Sequence, residues 1–324
     1  MTKMPVILGP TACGKTAVAA RLAFELGGEV ISADSRQVYR GMDLGSGKDL
    51  SDYTVEGVPI PCHLINIAEP GSEYNIFEYQ KDFTKAYSDI TGRGRLPILC
   101  GGSGMYLEAV IKGYYLPDVP PDPGFAQRMH ETDDQALVSE LSRLKKLHGT
   151  TDTVDRNRMI RALEIEIKRC EPGRTGEPRS SIDSAGKPGQ EAGKAVGTAF
   201  SPLPSIIFGI NPGREVVRRR ITFRLRDRLA AGMAEEVKGL LSRGIPPARL
   251  KAYGLEYKFI TMYIQGELGY EEMFTRLNTA IHQFAKRQMT WFRRMERQGL
   301  KIHWIFAEAG TTETVAGIRR IMNL

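Results

Sequence analysis

The chain opens on an apolar run, Pro5 to Leu8, of the length and composition of a short buried strand. A glycine-bearing turn follows, and from Lys15 to Leu26 the pattern becomes that of a helix. Glu29 to Ser32 reads as a second strand ending at Ala33-Asp34, and Leu96 to Cys100 as a third, closed by Gly101-Gly102. Strands alternating with helices predict an α/β fold, a parallel sheet with helices on both faces. Ligands of such sheets gather at the carboxyl ends of the strands. Three chemically distinctive segments stand at three such ends, which points to one shared site.

Further along, Gly113 to Gly124 is rich in proline and tyrosine and reads as a linker, and Phe125 to Leu147 as a charged helical stretch. Arg156 to Lys168 predicts a helix with Met159, Ile160, Leu163 and Ile167 on one apolar face. Glu171 to Pro204 has many Gly, Ser, Pro and Lys and almost no large apolar residues, so a mobile loop is expected there. Order returns with a strand at Ser205 to Ile210, followed by helices to about Gly299.

Composition narrows the class. Hydrophobic residues at 41% and charged residues at 26% are ordinary for a globular protein. No window approaches the roughly 18 consecutive apolar residues of a membrane helix, and the N-terminus lacks signal-peptide architecture. Cys13, Cys62, Cys100 and Cys170 are scattered without a Cys-x-x-Cys pair, which argues against a zinc site or disulfide framework. A cytoplasmic protein without membrane association is the expectation. The net charge of +7 is concentrated: Arg214, Arg218, Arg219, Arg220, Arg224, Arg226 and Arg228 are offset locally only by Glu215 and Asp227. Lys286, Arg287, Arg293, Arg294 and Arg297 form a second cluster. The planar guanidinium fork suits phosphate, although a solvated helix face has the same composition.

The strongest local signal is Gly9-Pro10-Thr11-Ala12-Cys13-Gly14-Lys15-Thr16, which has P-loop spacing directly after a strand and opens a helix. Its backbone N–H groups and the helix N-terminus suit a phosphate chain. Lys15 adds a point charge, and Thr16 can offer its hydroxyl to Mg²⁺. Nucleotide-hydrolysing P-loop proteins carry an Asp at the end of a second strand, yet the strand Leu96 to Cys100 ends in cysteine and glycines. The acid stands instead at Asp34, followed by Ser35, Arg36, Gln37 and Tyr39. A carboxylate there can take a proton from an acceptor group, or simply cap the next turn. Gly101-Gly102-Ser103-Gly104-Met105-Tyr106 permits close backbone approach, as would any tight strand-to-helix turn.

With these segments and Ile31-Ser32-Ala33-Asp34-Ser35-Arg36-Gln37-Val38-Tyr39-Arg40-Gly41-Met42-Asp43, the chain resembles the tRNA dimethylallyltransferase family. The resemblance continues in order through Asp155-Arg156-Asn157-Arg158-Met159-Ile160-Arg161-Ala162-Leu163-Glu164 and Ala231 to Val237. It ends with Phe284-Ala285-Lys286-Arg287-Gln288-Met289-Thr290-Trp291-Phe292-Arg293, so it spans most of the chain. Cys13 stands where the family usually has Ser, and Asn66 where it usually has Asp.

The resemblance implies transfer of a dimethylallyl group from dimethylallyl diphosphate to N6 of adenosine 37 in tRNA, with Mg²⁺ as cofactor. It implies a P-loop NTPase-like core, residues 1–115 and 205–324, and a helical tRNA-binding insertion at 116–204. The P-loop from Gly9 to Thr16, with Lys15, would grip the diphosphate, Thr16 would ligate the metal, and Arg220 and Arg224 would stabilise the leaving charge. Asp34 would act as general base beside Ser103, with Ser35, Arg36 and Gln37 near the acceptor. Arg128, Asn157, Arg158, Met159, Ile160, Arg161, Lys286 and Arg287 would meet the tRNA anticodon stem-loop. A monomer is expected. Tyr39, Tyr106 and Trp291 either line the channel or pack in the core. An adenylate isopentenyltransferase, a small-molecule P-loop kinase and a non-catalytic RNA-binding module are the rival readings.

Overall fold

The computed structural model describes residues 3–145, 147, 155–170, 197–198, 202–306 and 310–324. The chain divides into two compact units, Met1–Gly113 with Ser201–Leu324, and Tyr114–Phe200. The larger unit begins with β1 (Met4–Leu8), α1 (Lys15–Leu26) and β2 (Gly28–Ala33), then a small hairpin of β3 (Thr54–Val55) and β4 (Val58–Pro59). β5 (Cys62–His63), α2 (Ile76–Gly92), β6 (Leu96–Gly101) and α3 (Gly104–Ile111) follow. The smaller unit holds β7 (Leu116–Pro117), α4 (Pro123–His130), α5 (Asp134–Leu144), α6 (Arg156–Cys170) and β8 (Gly197–Thr198). The chain then returns to the larger unit with β9 (Ser205–Ile210), α7 (Arg214–Ala230), α8 (Met233–Ser242), α9 (Pro247–Ala252) and α10 (Leu255–Ile264). α11 (Tyr270–Arg297), β10 (Ile302–Ile305) and α12 (Thr311–Met322) complete it.

Six strands form one parallel sheet in the order β10-β9-β1-β6-β2-β5. Every residue of β1 and β2 is buried, as strands covered on both faces require. Ile7, Leu22, Ile98, Phe208 and Ile318 belong to one apolar core, and Val38, Ile221, Val237, Tyr257 and Leu277 to another among the C-terminal helices. The register places Leu8 opposite Gly101 and Gly101 opposite Ala33. Because β6 lies between β1 and β2 with the same polarity, the P-loop, the Asp34 segment and the glycine turn leave the sheet side by side.

The structure departs from the sequence reading at several places. The 113–124 stretch is not wholly a linker: β7 pairs antiparallel with β8, and α4 begins at Pro123. The 125–147 stretch is two helices, because Asp133 ends the run by accepting hydrogen bonds from Gln135 N (2.8 Å) and Ala136 N (3.3 Å) as an N-cap. α2, β5, β10 and α12 carried no sequence expectation. The predicted mobile loop at 171–204 lies outside the described residues except for Gly197–Thr198 and 202–204.

Met159 and Ile160, expected to touch tRNA, are buried at 1% and 3% exposure in a core with Leu137, Leu141 and Leu163. Apolar side chains at these positions are drawn from water and hold α6 against α5, which corrects that expectation. Arg161 is tied to Glu164 and to the Val119 carbonyl, whereas the Arg158 side chain is 76% exposed and Asn157 and Arg128 also face solvent.

Candidate active site

Gly14, at φ 90°, lies in the left-handed region and delivers the chain into α1. Ala12 shares that conformation at φ 60°, an uncommon one for a residue with a side chain. The loop is braced from a distant part of the chain: Thr11 N donates to Gln288 Oε1 at 2.8 Å, and Gln288 Nε2 donates to the Gly102 carbonyl at 2.9 Å. One amide on α11 therefore ties the phosphate cradle to the end of β6. The glycines of the 101–104 turn have specific neighbours. A Cβ on Gly101 would collide with Ala33, one on Gly102 with the Gln288 amide, and one on Gly104 with the Trp291 ring. Close approach explains that motif, and the C-terminal signature supplies two of the approaching side chains.

A solvent-open cleft of about 790 Å³ lies over these strand ends. Thr11, Ala12, Gly14, Lys15 and Thr16 of the P-loop line it together with Asp34, Arg36, Gln37 and Gly101, and Arg224 joins them from α7. Lys15 Nζ donates to the Pro10 carbonyl at 3.4 Å, and among the described residues no carboxylate pairs with it. Arg224 donates to Thr11 Oγ1 at 2.7 Å, and Arg220 donates to the Cys13 carbonyl at 3.4 Å from outside the cleft lining. Asp34 does part of what a turn cap does, since its Oδ1 accepts from Arg36 N at 2.9 Å, and its carboxylate also faces the cleft. Ser103 Oγ accepts from Ser35 N at 3.3 Å and thereby joins the ends of β2 and β6.

Two acceptor-side expectations change in character. Gln37 links Ser32 Oγ (3.3 Å) to the Gly47 carbonyl (3.2 Å), and Arg36 pairs with Glu256 at 2.9 Å while lying over the Phe284 ring. Both hold the cleft wall. Lys286 and Arg287 are exposed. Tyr39 and Tyr106 are buried, and Trp291 donates to Glu108 at 3.0 Å; none of the three lines the cleft. Burial pushes the Cys100 thiol up to about 12, so it is no thiolate nucleophile although it touches the cleft.

Several cleft residues carried no sequence expectation of a role. Asp49 accepts from Arg228 at 2.7 Å and from Arg224 at 3.4 Å, and Asp52 stands nearby. Burial and then Asp49 push the Asp52 carboxyl up, while burial and then Arg228 lower the Arg224 guanidinium from its ordinary value. Asp49 and Asp52 sit in no motif. Arg228 and Gln288 lay inside segments already conspicuous, and only the fold shows what they face. The loop bearing Asp49 is anchored by Glu236, which accepts from Asp43 N (2.8 Å), Leu44 N (2.8 Å), Gly45 N (3.1 Å) and Tyr257 Oη (2.8 Å). Lys48, with a fully buried side chain, donates to Asp43 Oδ1 (2.7 Å), Asn66 Oδ1 (2.6 Å) and the Tyr39 carbonyl. Asn66 sits at φ 56°, a conformation that asparagine tolerates, and so serves as a neutral partner in this cage. Glu236→Ala is expected to destabilise the protein by about 3 kcal/mol, because it strips several donors of a charged acceptor. A lower urea midpoint at unchanged slope would show this.

Hard oxygen donors that suit Mg²⁺ face the cleft: the Thr16 hydroxyl and the carboxylates of Asp34, Asp49 and Asp52. Among the described residues no group of three or more His, Cys, Asp or Glu could cage a metal. That set fits an ion held chiefly by phosphate oxygens and water, with few protein ligands.

The fold and the cleft define a P-loop protein whose phosphate cradle faces a carboxylate two strands away in the sheet. The chain belongs to the IPP transferase family, whose profile matches residues 37–295, and an isopentenyl transferase profile matches residues 2–58. It is 51% identical over 319 residues to tRNA dimethylallyltransferase 1 of Porphyromonas gingivalis, with 98% of each chain covered. It is likewise 51% identical over 317 residues to tRNA dimethylallyltransferase 1 of Parabacteroides distasonis, covering 98% of this chain and 96% of that one. Among solved structures, the tRNA isopentenylpyrophosphate transferase of Bacillus halodurans aligns with TM-score 0.67 at 30% identity, covering 100% of this chain and 96% of that chain. A eukaryotic dimethylallyltransferase acting on tRNA shares the fold, with TM-score 0.75 at 22% identity and coverage of 100% and 80%.

Proposed function

We propose that this chain transfers the dimethylallyl group of dimethylallyl diphosphate to N6 of adenosine 37 in tRNA, giving N6-(dimethylallyl)adenosine. One observation carries the reading: a lysine in a phosphate cradle, without a carboxylate partner among the described residues, and a carboxylate at the end of a strand two places away in the sheet face the same cleft. Family membership and relatives named for this reaction support it.

In this reading the backbone from Gly9 to Thr16 and the Lys15 ammonium hold the diphosphate, with Arg224 on the same groups and Arg220 just outside. Thr16 would be a protein ligand of Mg²⁺, which would offset charge on the phosphate oxygens. Asp34 accepts the hydrogen bond of the exocyclic amine, which places that nitrogen and raises its reactivity. The C–O bond to diphosphate breaks, the N6–C bond forms, and the amine proton passes to Asp34. Positive charge on the allylic carbon and negative charge on the leaving group are matched by Asp34 on one side and by Lys15 with the cradle N–H groups on the other. The adenine must leave its stack to reach the cleft. The exposed Arg158, Asn157 and Arg128 of the smaller unit, with Lys286 and Arg287, are assigned to phosphates of the anticodon stem-loop.

Incubation with labelled dimethylallyl diphosphate and, in parallel, unmodified tRNA, AMP or ATP tests this by nucleoside analysis. Label in N6-(dimethylallyl)adenosine from tRNA alone is expected. Label in AMP and none in tRNA, or ATP cleavage without alkylation, would replace the reading.

A further inference from the structure

Several arginines of the larger unit are neutralised, among them Arg21 by Glu25, Arg36 by Glu256, Arg93 by Glu29, Arg228 by Asp49 and Arg294 by Glu108. α7 is different. Among the described residues no carboxylate pairs with Arg214, Arg218, Arg219 or Arg220, although Glu215 stands on the same helix. At the C-terminal edge of this group lies Phe223, with 66% of its surface in water. Helical spacing puts Arg219 four residues before it, Arg220 three before, Arg226 three after and Asp227 four after, so three cations and one carboxylate flank the ring, and Arg226 lies over Phe274. The opposite side of the helix is engaged, since Ile221 and Leu225 are buried and Thr222 donates to Asn278 on α11 at 3.0 Å.

A lone exposed phenylalanine is unremarkable in itself. Here its surroundings are specific, because unpaired guanidinium groups beside an open ring supply both elements of single-stranded nucleic-acid recognition: cations for phosphate and a flat apolar face for a base. Arg220 also fixes the location. Its Nη1 donates to the Cys13 carbonyl of the P-loop, and Phe223 stands about one helical turn further along. A base seated on that ring would lie close to the mouth of the cleft.

We propose that Phe223 is a stacking platform for an unpaired base of the RNA substrate, with Arg219 and Arg220 on the adjoining phosphates. The assignment rests on the tRNA reading above and extends it to a specificity surface on α7. An acidic polypeptide would match the charge and leave the ring unused, so RNA is the occupant that accounts for both features.

The test uses the full chain and a labelled anticodon stem-loop RNA, with affinity read by fluorescence anisotropy so that no turnover is required. Phe223→Ala is expected to weaken RNA binding by about 5- to 100-fold, with the KM for dimethylallyl diphosphate unchanged. Phe223→Trp is expected to restore affinity to within about threefold of the wild type, which a merely structural role would not predict. Heparin, a polyanion without bases, should bind Phe223→Ala as it binds the parent. Arg219→Ala should weaken both ligands and flatten the dependence of log K on log salt by about 0.7 to 0.9 for RNA. Wild-type RNA affinity in Phe223→Ala would overturn the platform, as would equal weakening of RNA and heparin. If RNA affinity falls as expected in a protein that never alkylates RNA, the catalytic reading fails and the platform stands. Absence of RNA binding by the parent removes both.

Discussion

Asp34→Ala is expected to lower kcat for prenyl transfer by about 10²- to 10⁴-fold, the usual worth of a positioned proton acceptor. The Kd for tRNA is expected to stay within about twofold of the parent, because a group that acts in the transition state contributes little to ground-state binding. Asp34 follows the buried strand β2 and is held by the bond from Arg36 N to its Oδ1 (2.9 Å), so the carboxylate is oriented before substrate arrives. Asp34→Asn separates chemistry from folding. It retains an amide oxygen for Arg36 N and loses only the basic oxygen, so it should fail in turnover as the alanine variant does. Single-turnover rates with donor and RNA both saturating are the measurement. Turnover at the parental rate in either variant would remove Asp34 from the role of base.

The second large effect belongs to Lys15. Lys15→Ala is expected to lower kcat/KM for the diphosphate donor by about 10²- to 10³-fold, comparable to losing one preorganised donor at a developing negative charge. Its ammonium has no carboxylate partner among the described residues, and it lines the cleft beside the N-terminus of α1. That charge is therefore available to a ligand. Arg224, by contrast, already shares Asp49 with Arg228, so its removal should cost less than removal of Lys15. Donor affinity and RNA affinity measured separately decide the matter: loss confined to the donor supports the assignment, and equal loss of both contradicts it.

Glu236 and Gln288 show how such a cleft is kept in shape by residues that need not touch substrate. Glu236 gathers three consecutive backbone N–H groups of the loop that carries Asp49, and Gln288 spans the gap between the P-loop and β6. Both lie on C-terminal helices, far in sequence from the elements they hold. The C-terminal signature around Gln288 and Trp291 thus acts partly as a brace, and the glycines of the 101–104 turn make room for it.

The local sequence alone determined the P-loop, its strand and helix, the strand leading to Asp34 and the later strand at Ser205–Ile210. Such features are governed by neighbours within a few residues, through left-handed glycines, apolar runs and helical spacing. It also exposed the arginine run on α7, without showing which of those charges are free. Only the tertiary structure decided that Asp49, Asp52, Arg228 and Glu256 join the cleft, that Gln37 and Arg36 support its wall, and that Met159 and Ile160 lie inside. The physical reason is one of range. A side chain's own chemistry is local, but its partner is chosen by which strands and helices pack together. A parallel sheet with crossover helices joins residues that the chain itself keeps far apart.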